Sequence, residues 1–186
     1  MPDNRPVAQA WQSWGQVVLV SVLCLPLCAA LVWSRMVVGG RRWRDPIAEV
    51  GLVAGTLPWL WMVMSPVSAP GGVRPVPLID LYDVLHGSPQ TAVVQVIGNL
   101  LVFAALGFFL PIRWPLGPAA VGAIACAGSL TIETAQWTFD LGRVSSTDDV
   151  LINALGAVLA ALLSRPWWRR RAATRPRRGN TTADGQ

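Results

Sequence analysis

The sequence predicts an all-α, polytopic membrane helical bundle of five transmembrane helices, with a short interfacial amphipathic helix between the second and third. Three observations carry that expectation. Hydrophobic residues make up 53% of the 186 positions and charged residues only 13%, against about 25% charged in soluble domains. Several apolar runs are long enough to cross a hydrocarbon core of roughly 30 Å. The basic residues, all fifteen of them arginine, concentrate beside the ends of those runs. The net charge of +5 therefore reports topology, and nucleic acid is not an expected partner.

The length fits a single membrane domain over residues 1–165, followed by a basic tail over 166–186 whose Arg, Pro, Thr and Gly content predicts disorder. The first span is expected at about 14–34. It is read as a retained helix rather than a cleaved leader, because only Arg5 precedes it and the apolar run exceeds a usual signal core. Cys24, Cys28 and Cys126 all fall inside apolar runs, so they read as packing residues and not as a disulfide framework or metal cluster. Arg35, Arg41, Arg42 and Arg44 follow the first span. Asp45-Pro46 then reads as helix N-cap plus first helical position for a second span over about 47–65. Glu49 lies in its first turn, where the helix dipole favours an acid. Gly51 and Gly55 have the GxxxG spacing that permits close helix approach.

The loop over 66–90 carries five prolines and the pair Gly71-Gly72. Inside it Leu78, Leu81, Tyr82 and Leu85 recur at helical spacing while Asp80 and Asp83 point elsewhere, as an amphipathic helix at a membrane surface requires. A third span follows at about 91–110, with Pro111 expected to stop it. A fourth is expected at 116–139 and a fifth at 148–164, ending beside Arg165, Trp167 and Trp168. Alternating the sides puts twelve arginines on one face and three on the other. The positive-inside rule then places the N-terminus outside and the C-terminus in the cytoplasm. Most of the ten tryptophans fall near span ends, as an interfacial aromatic belt should.

Polar residues recur at one depth. Ser129, Glu133, Gln136 and Asp140 share a face of the fourth span; Asp149, Asn153, Gly156 and Ala160 share one of the fifth; Gln95 and Asn99 are one turn apart on the third. At 1.5 Å per residue Glu133 lies roughly 9 Å and Asn99 roughly 12 Å from the outer end. Charged groups at the centre of a membrane cost roughly 2.5–3.5 kcal/mol each, so convergence on one outer-leaflet pocket is expected. Its residues are Asn99, Glu133, Gln136, Arg143, Asp148, Asp149 and Asn153. Arg143 is the expected partner of Glu133. Ser145 and Ser146 stand three before Asp148 and Asp149, the spacing of a capping box, so one aspartate is expected to cap and the other to remain for Arg143. If there is catalysis, Glu133 is the candidate acid or base and Asp148 or Asp149 the orienting group. His86 is the one histidine, which leaves no His-based zinc site. Asp80, Asp83 and His86 form at most a minor cation candidate. No cofactor and no metal is expected, and no glycine-rich phosphate loop is present.

Two blocks resemble the VanZ-like family of bacterial membrane proteins. The first runs Gly98-Asn99-Leu100-Leu101-Val102-Phe103, then Leu106-Gly107-Phe108 and Leu110-Pro111. The second is Glu133-x-x-Gln136, Arg143, Asp148-Asp149-Val150 and Asn153 with Gly156. Ser146 stands where the family often has an aspartate. The blocks cover residues 95–157. The resemblance implies a multi-pass protein of the bacterial plasma membrane with a cell-envelope role, the family name coming from a member linked to low-level teicoplanin resistance. Three functions stay open. One is a non-enzymatic envelope protein whose pocket meets membrane lipid, a lipid-linked cell-wall precursor or a lipoglycopeptide and alters glycopeptide susceptibility. The second is an intramembrane enzyme acting on a lipid headgroup. The third is a structural or regulatory subunit.

Overall fold

Long apolar runs punctuated by short Gly-, Pro- and Arg-containing turns leave the backbone one way to satisfy its hydrogen bonds in lipid, which is the helix. The computed structural model describes residues 15–40, 42–87 and 89–168 and is an all-α bundle. Its order is α1 (Gly15–Gly39), α2 (Arg44–Met64), β1 (Gly72–Arg74), α3 (Ile79–His86), α4 (Pro89–Val102), α5 (Ala104–Arg113), α6 (Pro118–Thr138), β2 (Val144–Ser146) and α7 (Thr147–Leu163). Helices α4 and α5 form one apolar rod over Ala92–Arg113, interrupted at Phe103. Among the described residues four helices are long and apolar enough to cross a membrane: α1, α2, the α4–α5 rod and α6. The fifth expected span, α7, has 17 residues, about 25 Å of helix, and lies packed along α6 and α5. Residues Trp11 and Trp14 and the tail from 169 onward lie outside the described residues.

Several boundaries differ from expectation for local reasons. Helix α2 begins at Arg44, so Asp45 sits within its first turn, with Trp43 at the N-cap position. The third span does not stop at Pro111. The helix passes through it to Arg113 and ends where Trp114 N donates to Leu110 O, since a bundle tolerates the one hydrogen bond that proline removes. Glu49 is more than a dipole-favoured acid. It accepts from Arg35 Nη1 at 2.9 Å and from Arg113 Nε at 2.7 Å, joining α1, α2 and α5 at one end of the bundle. That end is called here the Arg113 end, and the opposite one the Arg143 end.

Small residues set the helix spacing. A Cβ on Gly107 would stand 2.2 Å from Ala157 O, and one on Gly156 would stand 2.1 Å from Leu100 O. The α4–α5 rod and α7 therefore cross with backbones nearly touching, a contact only glycine permits. Gly51 and Gly55 act similarly, against Phe109 and Ala105. Around these crossings Val102, Phe103, Val121, Ala125, Ile132, Ala157 and Ala161 form the buried core. The outward faces carry large exposed apolar side chains, such as Leu23, Trp61, Val94 and Leu155, the inverse of a soluble surface. Helix α1 sits at the periphery against α2.

The sequence patterns showed no strand, yet β1 and β2 pair in parallel, Gly72 opposite Val144 and Arg74 opposite Ser146. This ladder ties the loop after α2 to the loop after α6. It holds α3 at the Arg143 end with Leu78, Tyr82 and Leu85 about 60% exposed and Asp80 buried. The amphipathic helix thus docks on the bundle through Asp80, with Leu81 and Val84 half-buried and Asp83, Tyr82 and Leu85 outward.

Valine at Gly107 or at Gly156 should destabilise the bundle by about 1–3 kcal/mol through overpacking, read as a lower melting temperature of the purified protein. Gly98→Ala is the control, because its Cβ would meet nothing within 4 Å.

Candidate functional site

The polar residues gather at the Arg143 end, and their first task there is to satisfy helix termini. Helix α7 is capped by Ser146, whose side chain accepts from Asp148 N at 3.1 Å. The carboxylate of Asp148 is then free to reach across the bundle. It accepts from Leu78 N and Leu81 N, the latter at 2.8 Å, at the start of α3. Leu78 has no oxygen with which to cap its own helix and sits at φ 69, so a carboxylate 70 residues away supplies the acceptor. Asp148 is 2% exposed and both its oxygens are engaged. Of the two aspartates it is the one that caps, but it caps a different helix.

Asp149 accepts from Asn99 Nδ2, joining α7 to α4. Beside it Asp80, 8% exposed, accepts from Arg74 Nη1 at 2.7 Å and Gln95 Nε2 at 3.2 Å. Arg74 also holds Asp83 at 3.1 Å. His86 Nδ1 meets Tyr82 O. The trio Asp80, Asp83 and His86 therefore does not converge: an arginine takes the two acids and a backbone carbonyl takes the imidazole.

Glu133 accepts from Ser146 N at 3.1 Å, and Ser145 Oγ donates to the Glu133 carbonyl at 2.9 Å. The expected ion pair between Glu133 and Arg143 is not formed. Arg143 turns to the C-terminus of α2 instead, Nε donating to Ser65 O at 3.1 Å and Nη2 to Met62 O at 2.9 Å. Gln136 Nε2 joins it, donating to Val63 O at 2.8 Å. Pro66 follows and offers no amide to continue the helix, so Met62 O keeps only the 3.4 Å bond from Ser65 N, and a cation there also complements the helix dipole. Burial pushes the Arg143 guanidinium below its ordinary value, and the negative charges of Glu133 and Asp149 oppose that shift. Deeper, Asn153 Nδ2 donates to Ser129 Oγ at 2.7 Å, and its buried Oδ1 has no partner among the described residues.

The seven expected pocket residues thus share one end of the bundle without lining one pocket. They divide into three adjoining networks. Asn99, Asp148 and Asp149 hold α3 and α4 to α7; Glu133 holds β2; Gln136 and Arg143 hold the end of α2. Asn153 stands one turn below Asp149. The expectation missed Arg74 and Asp80, because nothing local says that the two meet or that Asp80 faces inward.

Open space lies beside the third network. A cavity of about 290 Å³ is lined by Gly71, Gly72, Val73, Gln136, Trp137, Asp140 and Arg143. Asp140 is exposed, sits at φ 48 and makes no side-chain hydrogen bond or ion pair within the described residues. The tight turn that places it needs Gly142 at φ 68, where a Cβ would stand 2.0 Å from Val67 O. Trp137 is 64% exposed at the same rim. Their backbones end α6, Asp140 N donating to Trp137 O at 3.3 Å and Leu141 N to Gln136 O at 3.1 Å, while their side chains do none of the capping that occupies their neighbours.

The model of the family described as VanZ/LLP1 matches residues 52–169. The match reaches back into α2, beyond the blocks over 95–157, and leaves out α1. No curated protein and no solved structure matches the chain.

Asp148→Ala should strand two amide donors at a cost of about 1–3 kcal/mol. Hydrogen exchange should then accelerate in residues 78–86 while α6 stays protected. Arg143→Lys keeps the charge but loses the fork that spans two carbonyls, so the melting temperature should fall although the net charge is unchanged.

Proposed function

Because the chain belongs to the VanZ/LLP1 family, we propose that it is a non-enzymatic protein of the bacterial cell envelope. In this reading the Arg143 end faces the extracytoplasmic side, and the polar cavity there engages an envelope molecule and so changes susceptibility to teicoplanin-type glycopeptides. The arginine asymmetry supports that orientation, since among the described residues Arg35, Arg42, Arg44, Arg113 and Arg165 flank the Arg113 end and only Arg74 and Arg143 the other.

The observation that carries the proposal is the cavity rim. The side chains of Asp140 and Trp137 line it, are exposed and have no hydrogen-bond partner among the described residues, so they are available to a ligand. A binding role is favoured over catalysis because each candidate acid already accepts a hydrogen bond that joins elements of the bundle. Asp148 accepts two amides, Asp149 accepts Asn99 and Glu133 accepts Ser146 N. Size argues for a headgroup over the antibiotic itself. At about 30 Å³ per molecule in the liquid, 290 Å³ holds about ten waters, and a glycopeptide is many times larger.

Expression of the intact chain in a susceptible Gram-positive host should raise the minimum inhibitory concentration of teicoplanin several-fold. Asp140→Asn and Trp137→Ala should abolish the rise while the protein stays at the same abundance in the membrane. No rise at full abundance of the unaltered chain would overturn the reading.

A further inference from the structure

We propose that the cavity at the Arg143 end is a site for a zwitterionic headgroup that carries a phosphate and a primary ammonium, as in phosphatidylethanolamine. The proposal rests on the reading of this cavity as the working site and goes further by naming the chemistry it selects.

Two opposite charges line one small space. On one side the Arg143 guanidinium spends Nε and Nη2 on the carbonyls of Ser65 and Met62. That anchors it and leaves Nη1 without a partner among the described residues, a donor available to a phosphate oxygen at a residue that lines the cavity. On the other side Asp140 offers a carboxylate that no cation of the described chain pairs with. A group with only negative charge would meet Asp140 as a like charge, and a group with only positive charge would meet Arg143. A ligand bearing both signs a few atoms apart satisfies the two at once. Trp137 adds an indole at the rim, and an ammonium beside an indole gains cation–π attraction.

The backbone keeps this space open. Gly71 faces the Asp140 carboxylate, and a Cβ there would stand 3.3 Å from Asp140 Oδ1 and 3.3 Å from Arg143 O. The loop bearing Gly71 is pinned by Val67 N on Leu141 O at 2.9 Å and by Gly72 N on Arg143 O at 3.3 Å. Both walls therefore hold their geometry without a ligand, which lowers the ordering cost of binding. The outward Tyr82 and Leu85 of α3 and the exposed Trp137 and Phe139 stand at the same end, as expected of a site reached from the membrane interface.

The test uses the purified full chain in detergent, titrated with short-chain phosphatidylethanolamine, short-chain phosphatidylglycerol and soluble phosphoethanolamine, with Trp fluorescence and native mass spectrometry as readouts. Phosphatidylethanolamine should bind at least about tenfold more tightly than phosphatidylglycerol, the worth of one charge-assisted contact. Asp140→Asn should erase that preference. Asparagine tolerates the positive φ of the position, so the variant should melt as the parent does, and Trp137→Ala provides a second variant that weakens binding without touching the turn. Soluble phosphoethanolamine binding as tightly as the lipid would support the zwitterion site and assign it a soluble source. Equal affinity for both lipids, or an unchanged preference in Asp140→Asn, would overturn the inference. Lipid selectivity that persists in a chain with no effect on teicoplanin would leave this inference standing and remove the susceptibility reading alone.

Discussion

Helix ends with no water to turn to govern this molecule. Each helix leaves amides at its start and carbonyls at its finish, and where those ends are buried they need acceptors and donors from elsewhere in the chain. At the Arg143 end the need is met from a distance. Asp148 serves the start of α3, while Arg143 and Gln136 serve the finish of α2. Ser146 serves α7 at close range and frees Asp148 for its longer reach. Removal of any one of these would strand backbone polar groups at a place where hydration is scarce.

That constraint explains why so many polar side chains coincide at one end without forming one pocket. A carboxylate engaged by two amides, or a guanidinium laid across two carbonyls, serves poorly as a reacting group because its lone pairs or protons are already directed. The side chains left over cluster where α6 ends: Trp137 in its last turn, Asp140 at the left-handed position that follows and the unengaged nitrogen of Arg143. The family resemblance draws the eye to the acids of the second block, whereas the free chemistry lies a few residues away, in the turn between α6 and β2.

The other end follows the same logic in a simpler form. Glu49 gathers Arg35 and Arg113 and ties three helices together, while Gly51, Gly55, Gly107 and Gly156 bring the rods close enough to exclude lipid between them. Packing in a membrane bundle depends on such close approach, because lipid tails are as apolar as the side chains they replace. The rigid crossings hold the two loops of the Arg143 end at a constant separation, and the short β1–β2 ladder can then form between them.

Much of this was legible in the chain itself. Apolar run length and charge depletion identified the membrane helices, and the glycine pairs marked close crossings. The 3.6-residue period found the amphipathic α3 and set Ser129 with Gln136 on the buried face of α6. The period set seven polar residues near one depth and led to the expectation of one pocket, whereas the structure divides six of them among three networks. What the pattern could not show was pairing. Arg143 was assigned to Glu133 but donates to the end of α2. One of Asp148 and Asp149 was expected to cap α7 and the other to meet Arg143, but Asp148 caps α3 and Asp149 accepts from Asn99. Asp80 was turned outward but is buried beside Arg74. The parallel ladder and the helix running through Pro111 were likewise invisible. Periodicity and hydropathy are properties of a segment and survive without neighbours, so composition alone determined which stretches are helices and at what level their polar groups lie. Which donor meets which acceptor depends on how separate helices are brought together in space, and only the tertiary structure decided it.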